Sequence, residues 1–105
     1  MPSEKLAISP KEWGPKMWYS IHCIAKFYPC KPTEKKKRSA LRFFESLEDM
    51  LPCKKCRENY AEYIKDHPPA LSSRAALTRW TWNLHDSVNQ RLGKKSIPFK
   101  EVYRC

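Results

Sequence analysis

The sequence predicts an all-α fold, a four-helix bundle with a short fifth helix appended, on three observations. Apolar residues recur at three- and four-residue steps in four separate segments. Each segment is bounded by proline or by a capping side chain. No strand pair, internal repeat or low-complexity tract occurs in the 105 residues. A chain of that length is one small domain. It buries one modest core, and such domains often draw on a metal, a disulfide, a cofactor or a partner subunit.

Residues 1–12 read as an N-terminal arm. Ser9-Pro10-Lys11-Glu12 has capping-box spacing, but Pro15 follows too closely for a helix to run through it. The first helix is therefore expected from about Gly14, with Pro15 in its first turn, to about Tyr28, where Pro29 stops it. Trp18, Ile21, His22, Ala25 and Tyr28 share one face. His22, the polar member, reads first as a satisfied core residue. Thr33 is the expected N-cap of a second helix to about Met50. Leu41, Phe44, Leu47 and Leu51 form its apolar stripe, with Phe43 and Met50 beside it. Lys35-Lys36-Lys37-Arg38 lies in its first turns, where cations oppose the helix dipole. A solvated face is the plainer reading of that run, and a bound phosphate the sharper one.

Pro52 breaks the chain and restarts it as a third helix, to about Asp66, ended by His67-Pro68-Pro69. Ser72 or Ser73 caps a fourth, about Arg74 to Leu92, with Gly93 as its stop. Leu77, Leu84, Val88 and Leu92 mark its core stripe. Trp82, His85 and Asn89 lie on a neighbouring face. Ile97-Pro98-Phe99 opens the short fifth helix, expected through Val102 or Tyr103.

The chemistry centres on Cys53-Lys54-Lys55-Cys56. A disulfide over so short a loop removes little unfolded-state entropy and adds little stability. Cysteines at this spacing bind metals or exchange electrons. Lys54, Lys55, Arg57 and the start of a helix all stabilise a thiolate, the reactive form. Five cysteines cannot all pair within one chain. Cys23 reads as a small buried packing residue. Cys30 is open to Cys105, a second subunit or no partner. The net charge of +10 suits nucleic acid, an anionic surface, acidic proteins or a phosphate-bearing cofactor. With two glycines, P-loop and Rossmann patterns are absent, so any nucleotide is held another way. No signal peptide or membrane span is read in the sequence.

If the helices converge, the thiol pair lies beside Trp18, His22, Trp80, His85 and Asn89, with Lys94 and Lys95 near the mouth. That set suits a flat, redox-active, phosphate-bearing molecule such as FAD. Zinc on Cys53, Cys56, His22 and His85 competes, but no second close-spaced ligand pair supports it.

These residues resemble the FAD-dependent sulfhydryl oxidases of the Erv/ALR type. The matching stretches are Trp13-Gly14-Pro15 with Trp18 and His22, Tyr28-Pro29, Pro52-Cys53 through Cys56, and His67-Pro68. Trp80 with His85, Val88, Asn89, Leu92, Gly93 and Lys94 follows the family's Trp, four residues, then His-Asn-x-Val-Asn-x-x-Leu-x-Lys. The resemblance covers about residues 13–95. It implies a four-helix bundle plus a short fifth helix, with FAD at the bundle mouth, working as a homodimer. It implies oxidation of protein dithiols, or of a thioredoxin-like shuttle protein, with oxygen reduced to hydrogen peroxide. It places Cys56 against the flavin and makes Cys53 the sulfur attacked by substrate. The implied FAD contacts are Gly14, Trp18, His22, Tyr60, Trp80, His85, Asn89 and Lys94.

The chain also departs from the family. Asp86 stands where the family has Asn. Trp82 and Phe99 stand where cellular members carry a disulfide, so an aromatic contact is expected in its place. No second Cys-x-x-Cys shuttle is present, which leaves Cys105 as a single shuttle, an intermolecular partner or an ordinary free thiol. This compact form resembles versions encoded by large DNA viruses, implying the host cytoplasm or the virion, with the mitochondrial intermembrane space as second choice. The rival readings are a basic zinc- or nucleic-acid-binding module, which would be colourless and salt-sensitive, and an inactive partner-binding bundle.

Overall fold

Four capping side chains set where the helices begin. The computed structural model describes residues 9–96, 98 and 99. Its helices are α1 (Pro10–Lys26), α2 (Glu34–Met50), α3 (Lys54–Asp66) and α4 (Arg74–Arg91). Ser9 Oγ accepts from the Lys11 N–H, and Thr33 Oγ1 from the Lys36 N–H. Cys53 Sγ accepts from the Cys56 N–H, and Ser73 Oγ from the Ala76 N–H. Each bond satisfies a donor that the first helical turn leaves without a partner.

The first helix departs from expectation. It begins at Pro10, so residues 10–12 are its first turn rather than part of an arm, and Pro15 lies inside it. Pro10 occupies the position where a missing N–H costs nothing. Pro15 forfeits one interior hydrogen bond, to the Lys11 carbonyl. Gly14 lightens that burden. Proline disfavours α geometry in the preceding residue partly by crowding its Cβ, and glycine has none.

The other bounds follow the sequence closely. Gly93, at φ 73, ends α4. Its N–H donates to the Gln90 carbonyl at 3.1 Å, and that of Lys94 to the Asn89 carbonyl at 2.8 Å. This is the Schellman arrangement, which needs a left-handed residue where the glycine sits. The expected fifth helix lies mostly outside the described residues. Pro98 and Phe99 belong to no helix.

Helix α1 packs on α4, and α2 on α3. Trp18 meets His85, while the Tyr28 carbonyl receives Arg74 Nε at 2.7 Å. The α1–α4 pair therefore runs antiparallel. The core is built from Ile21, Ala25, Tyr28, Phe44, Leu47, Leu51, Tyr60, Leu77, Trp80 and Leu84. Its amphipathic members aim their polar ends at main-chain carbonyls. Tyr28 Oη donates to Leu71 O, Tyr60 Oη to Phe44 O and Trp80 Nε1 to His67 O, at 2.8, 2.6 and 2.9 Å. Leu41 and Leu92, placed in core stripes from the sequence, are exposed. Leu92 caps the last turn of α4, where no described helix covers it. No described helix is long and apolar enough to cross a membrane.

Candidate active site

Cys53 closes the turn between α2 and α3, and Cys56 occupies the first turn of α3. The N-cap geometry bends the Cys53 side chain onto the helix start, 3.2 Å from the Cys56 N–H. The two thiols are inequivalent. The Cys56 thiol hydrogen-bonds to Cys53 and lowers its pKa, against a weaker opposing effect of burial. The Cys56 and Lys55 N–H groups and the Arg57 charge act in the same downward direction. Burial, followed by its bond to Cys53 and that neighbour's charge, pushes Cys56 up to about 11. In the reduced pair the proton therefore stays on Cys56 and the thiolate forms on Cys53.

Both cysteines open onto a cavity of about 810 Å³. It lies where the start of α1, the end of α2, the start of α3 and the end of α4 meet. Trp13, Gly14, Met17 and Trp18 line it from α1, and Leu47 and Leu51 from α2 and its cap. Asn59, Tyr60 and Tyr63 line it from α3, and Leu84, His85, Val88 and Asn89 from α4. Lys55, Arg91 and Lys94 add positive charge to its walls. The cavity is mainly apolar and aromatic, with a few polar groups, as small-molecule sites are.

The imidazoles form a layer beside it. Trp18 stacks on His85 at 4.0 Å between centroids and 7° between planes. His22 Nε2 and His85 Nδ1 are 3.0 Å apart, so one neutral ring donates to the other. Burial first, then His22 and Lys94, push His85 down to about 4, against the pull of Asp86. Burial and Lys26 lower His22. Both rings are neutral near pH 7.

Of the residues expected to hold a cofactor, Gly14, Trp18, Tyr60, His85, Asn89 and Lys94 line the cavity with the cysteines. His22 and Trp80 do not. His22 sits behind His85 and fixes its orientation. Trp80 is 5% exposed, its indole N–H is spent on His67 O, and its ring packs edge-on against Phe44. Trp80 is therefore part of the core beneath the cavity floor. Trp13, Met17, Tyr63, Lys55 and Arg91 were not foreseen. Starting the first helix at Gly14 hid Trp13, because that residue becomes inward-facing only when α1 begins at Pro10.

The features around the site are also resolved. Cys23 is half-buried and free, rather than fully buried. Cys30 is disulfide-bonded, and Cys105, named above as one partner open to it, lies outside the described residues. Asp86 accepts from Gln90 Nε2 through Oδ2, while its buried Oδ1 has no partner. The expected aromatic contact is present: the Trp82 and Phe99 rings lie 5.5 Å apart, edge to face. The Arg79 guanidinium stacks 4.3 Å over Phe99. Among the described residues, no three His, Cys, Asp or Glu side chains cluster closely enough to hold a metal ion.

The residues present fit FAD. The walls offer aromatic faces for flat rings and cations for phosphates, with a thiol pair at one side. In the same wall, Trp13 Nε1 is buried without a hydrogen-bond partner.

The family model for the Erv1/Alr family matches residues 15–104. A probable FAD-linked sulfhydryl oxidase of Acanthamoeba polyphaga mimivirus is 41% identical over 98 residues, covering 90% of this chain and 68% of the relative. An FAD-linked sulfhydryl oxidase of African swine fever virus is 35% identical, covering 85% of this chain and 75% of its own. Among solved structures, the FAD binding domain of Erv1 from Saccharomyces cerevisiae superposes with a TM-score of 0.85 at 28% identity, covering 88% of each chain.

Proposed function

This chain belongs to the Erv1/Alr family and is an FAD-linked sulfhydryl oxidase; on that premise we propose that Cys53 and Cys56 are its redox pair and that the cavity they line holds FAD. The observation that carries this is the meeting of both sulfurs with Trp18, His85, Asn89 and Lys94 in one cavity. The substrates are protein dithiols, directly or through a thioredoxin-like shuttle protein. Lys94, Arg91 and Lys55 would meet the phosphates, and Trp18, His85 and Tyr60 the flat rings. Large-virus relatives support action in the host cytoplasm or the virion. Phe27 at the end of α1, and Phe43 and Met50 in line on α2, are exposed and support a homodimer.

In the reaction, a substrate thiolate attacks Cys53 Sγ. A bond forms between them, the Cys53–Cys56 bond breaks, and the electron pair leaves on Cys56. The second substrate thiolate then attacks the substrate sulfur of the mixed disulfide. The bond between Cys53 and the substrate sulfur breaks, its electron pair goes to Cys53, and the substrate departs as a disulfide. The lowered pKa of Cys53 makes it the better leaving group in this second step. The half-buried neutral imidazoles and the aromatic walls keep water from the Cys56 side. The chemistry that FAD bound in this cavity would supply is two-electron acceptance from the reduced pair, with oxygen as the final acceptor, reduced to hydrogen peroxide.

Purified protein is expected to be yellow and to consume oxygen when given dithiothreitol. The Cys56→Ser variant should keep the flavin absorbance and lose turnover by at least about a hundredfold, the scale on which essential nucleophiles are lost. Turnover retained in that variant would refute the assignment.

A further inference from the structure

We propose that Arg57 is a positioning residue for thiol–disulfide exchange, its guanidinium locking the turn that presents Cys53 Sγ to the incoming thiol. The proposal rests on Cys53 being the attacked sulfur. The turn is Leu51-Pro52-Cys53. The buried Leu51 carbonyl accepts two donors, the Cys53 N–H at 2.8 Å and Arg57 Nη1 at 2.6 Å. The Arg57 N–H donates to the Cys53 carbonyl at 2.9 Å. Arg57 thus grips the turn twice, through its main chain on one side of Cys53 and through its side chain on the other.

The geometry follows from helix direction. A side chain four residues into α3 leans back over the helix start, and arginine is long enough to reach past Cys53 to Leu51. Pro52 has no N–H, so it adds no main-chain donor to the turn. Cys53 itself is extended, at φ −165 and ψ 120, with its own N–H committed to Leu51. That conformation directs its sulfur at the Cys56 N–H. The clamp also fixes a permanent cation beside a sulfur that carries negative charge each time it leaves. A lysine would bring charge without the planar donor fork, and a neutral side chain would bring neither. When the mixed disulfide is resolved, the bond between Cys53 and the substrate sulfur breaks and the electron pair goes to Cys53. Arg57 holds that thiolate in place until Cys56 is again its partner.

The test uses reduced, flavin-loaded protein and follows labelling of each cysteine by iodoacetamide against pH, read peptide by peptide by mass spectrometry. Arg57→Met keeps the apolar stem and removes the guanidinium. It should slow Cys53 labelling at pH 7 by about threefold or more, as expected when a thiolate is less favoured. The midpoint should move to higher pH, and kcat/KM for dithiothreitol should fall with flavin content unchanged. Arg57→Lys should recover part of the pH midpoint and little of kcat/KM. A folded, flavin-loaded Arg57→Met protein with the native Cys53 profile and kcat/KM overturns the proposal. If Arg57→Met does not fold, Arg57→Gln gives the same decision, since it keeps a donor and drops the charge. Preferential labelling of Cys56 over Cys53 in the native protein would instead overturn the assignment of Cys53 itself.

Discussion

Cys53 and Cys56 are chemically different although only two residues separate them. One caps a helix and receives main-chain N–H groups, while the other is a part-buried wall of the cavity. The histidines show the same dependence on surroundings. His85 is depressed to about 4 from 6.5, and His22 is depressed as well. The folded chain therefore refuses protons that the unfolded chain binds between about pH 6.5 and about 4. Stability rises with pH wherever the unfolded state holds more protons, so it is fully present above the unfolded value and falls as the pH drops through this window. Thermal melts at intervals between pH 7 and pH 4 should show a declining Tm. His85→Gln, which does not titrate, should flatten the decline; an equally steep fall in that variant would show that other groups carry it.

At the scale of the element, each helix start depends on one side chain, and the start of α4 is the clearest case. Ser73 Oγ accepts from the Ala76 N–H at 3.1 Å, and α4 carries Leu77, Trp80 and Leu84 into the core. Removing such a cap typically costs about 1 kcal/mol, which for a domain of this size lowers Tm by about 4 to 6 °C. Ser73→Ala should show that loss by calorimetry, whereas Ser72→Ala should not. Helix α1 teaches a different lesson. Proline in the sixth position looks prohibitive, yet Gly14 removes part of the steric penalty and Ser9 with Pro10 starts the helix well. That earlier start adds the turn carrying Trp13, which supplies one wall of the cavity.

Across the whole molecule, the α1–α4 and α2–α3 pairs bring four helix ends to one place, and the cavity is the space between them. The opposite arrangement holds on the outside. Phe27, at the end of α1, is 85% exposed, a large apolar display for a chain with a charge of +10. A second copy covering this end of α1 would explain it. Sedimentation should show a dimer, and Phe27→Lys should shift it toward monomer while flavin absorbance stays. A monomeric native protein would remove the proposed interface.

The sequence by itself determined the four helices, Thr33 as the N-cap of α2, the start of α4 to within Ser72 or Ser73, the glycine stop of α4 and the adjacency of two thiols at the start of α3. Those features rest on local rules: capping spacing, apolar periodicity and the closeness of two thiols along the chain. Six residues expected at a cofactor line the cavity: helical face and chain position pointed to Trp18, His85, Asn89 and Lys94, and the family resemblance alone implied Gly14 and Tyr60. Only the tertiary structure separated Trp80 from the cavity, since the direction of a buried indole depends on which carbonyl it reaches across the fold. Only the fold set Trp18 against His85 and His22 behind it, and added Lys55 and Arg91 to the walls. Periodicity assigns a residue to a face. What that face meets, and which of two neighbouring thiols keeps its proton, depend on burial and partners supplied by distant segments.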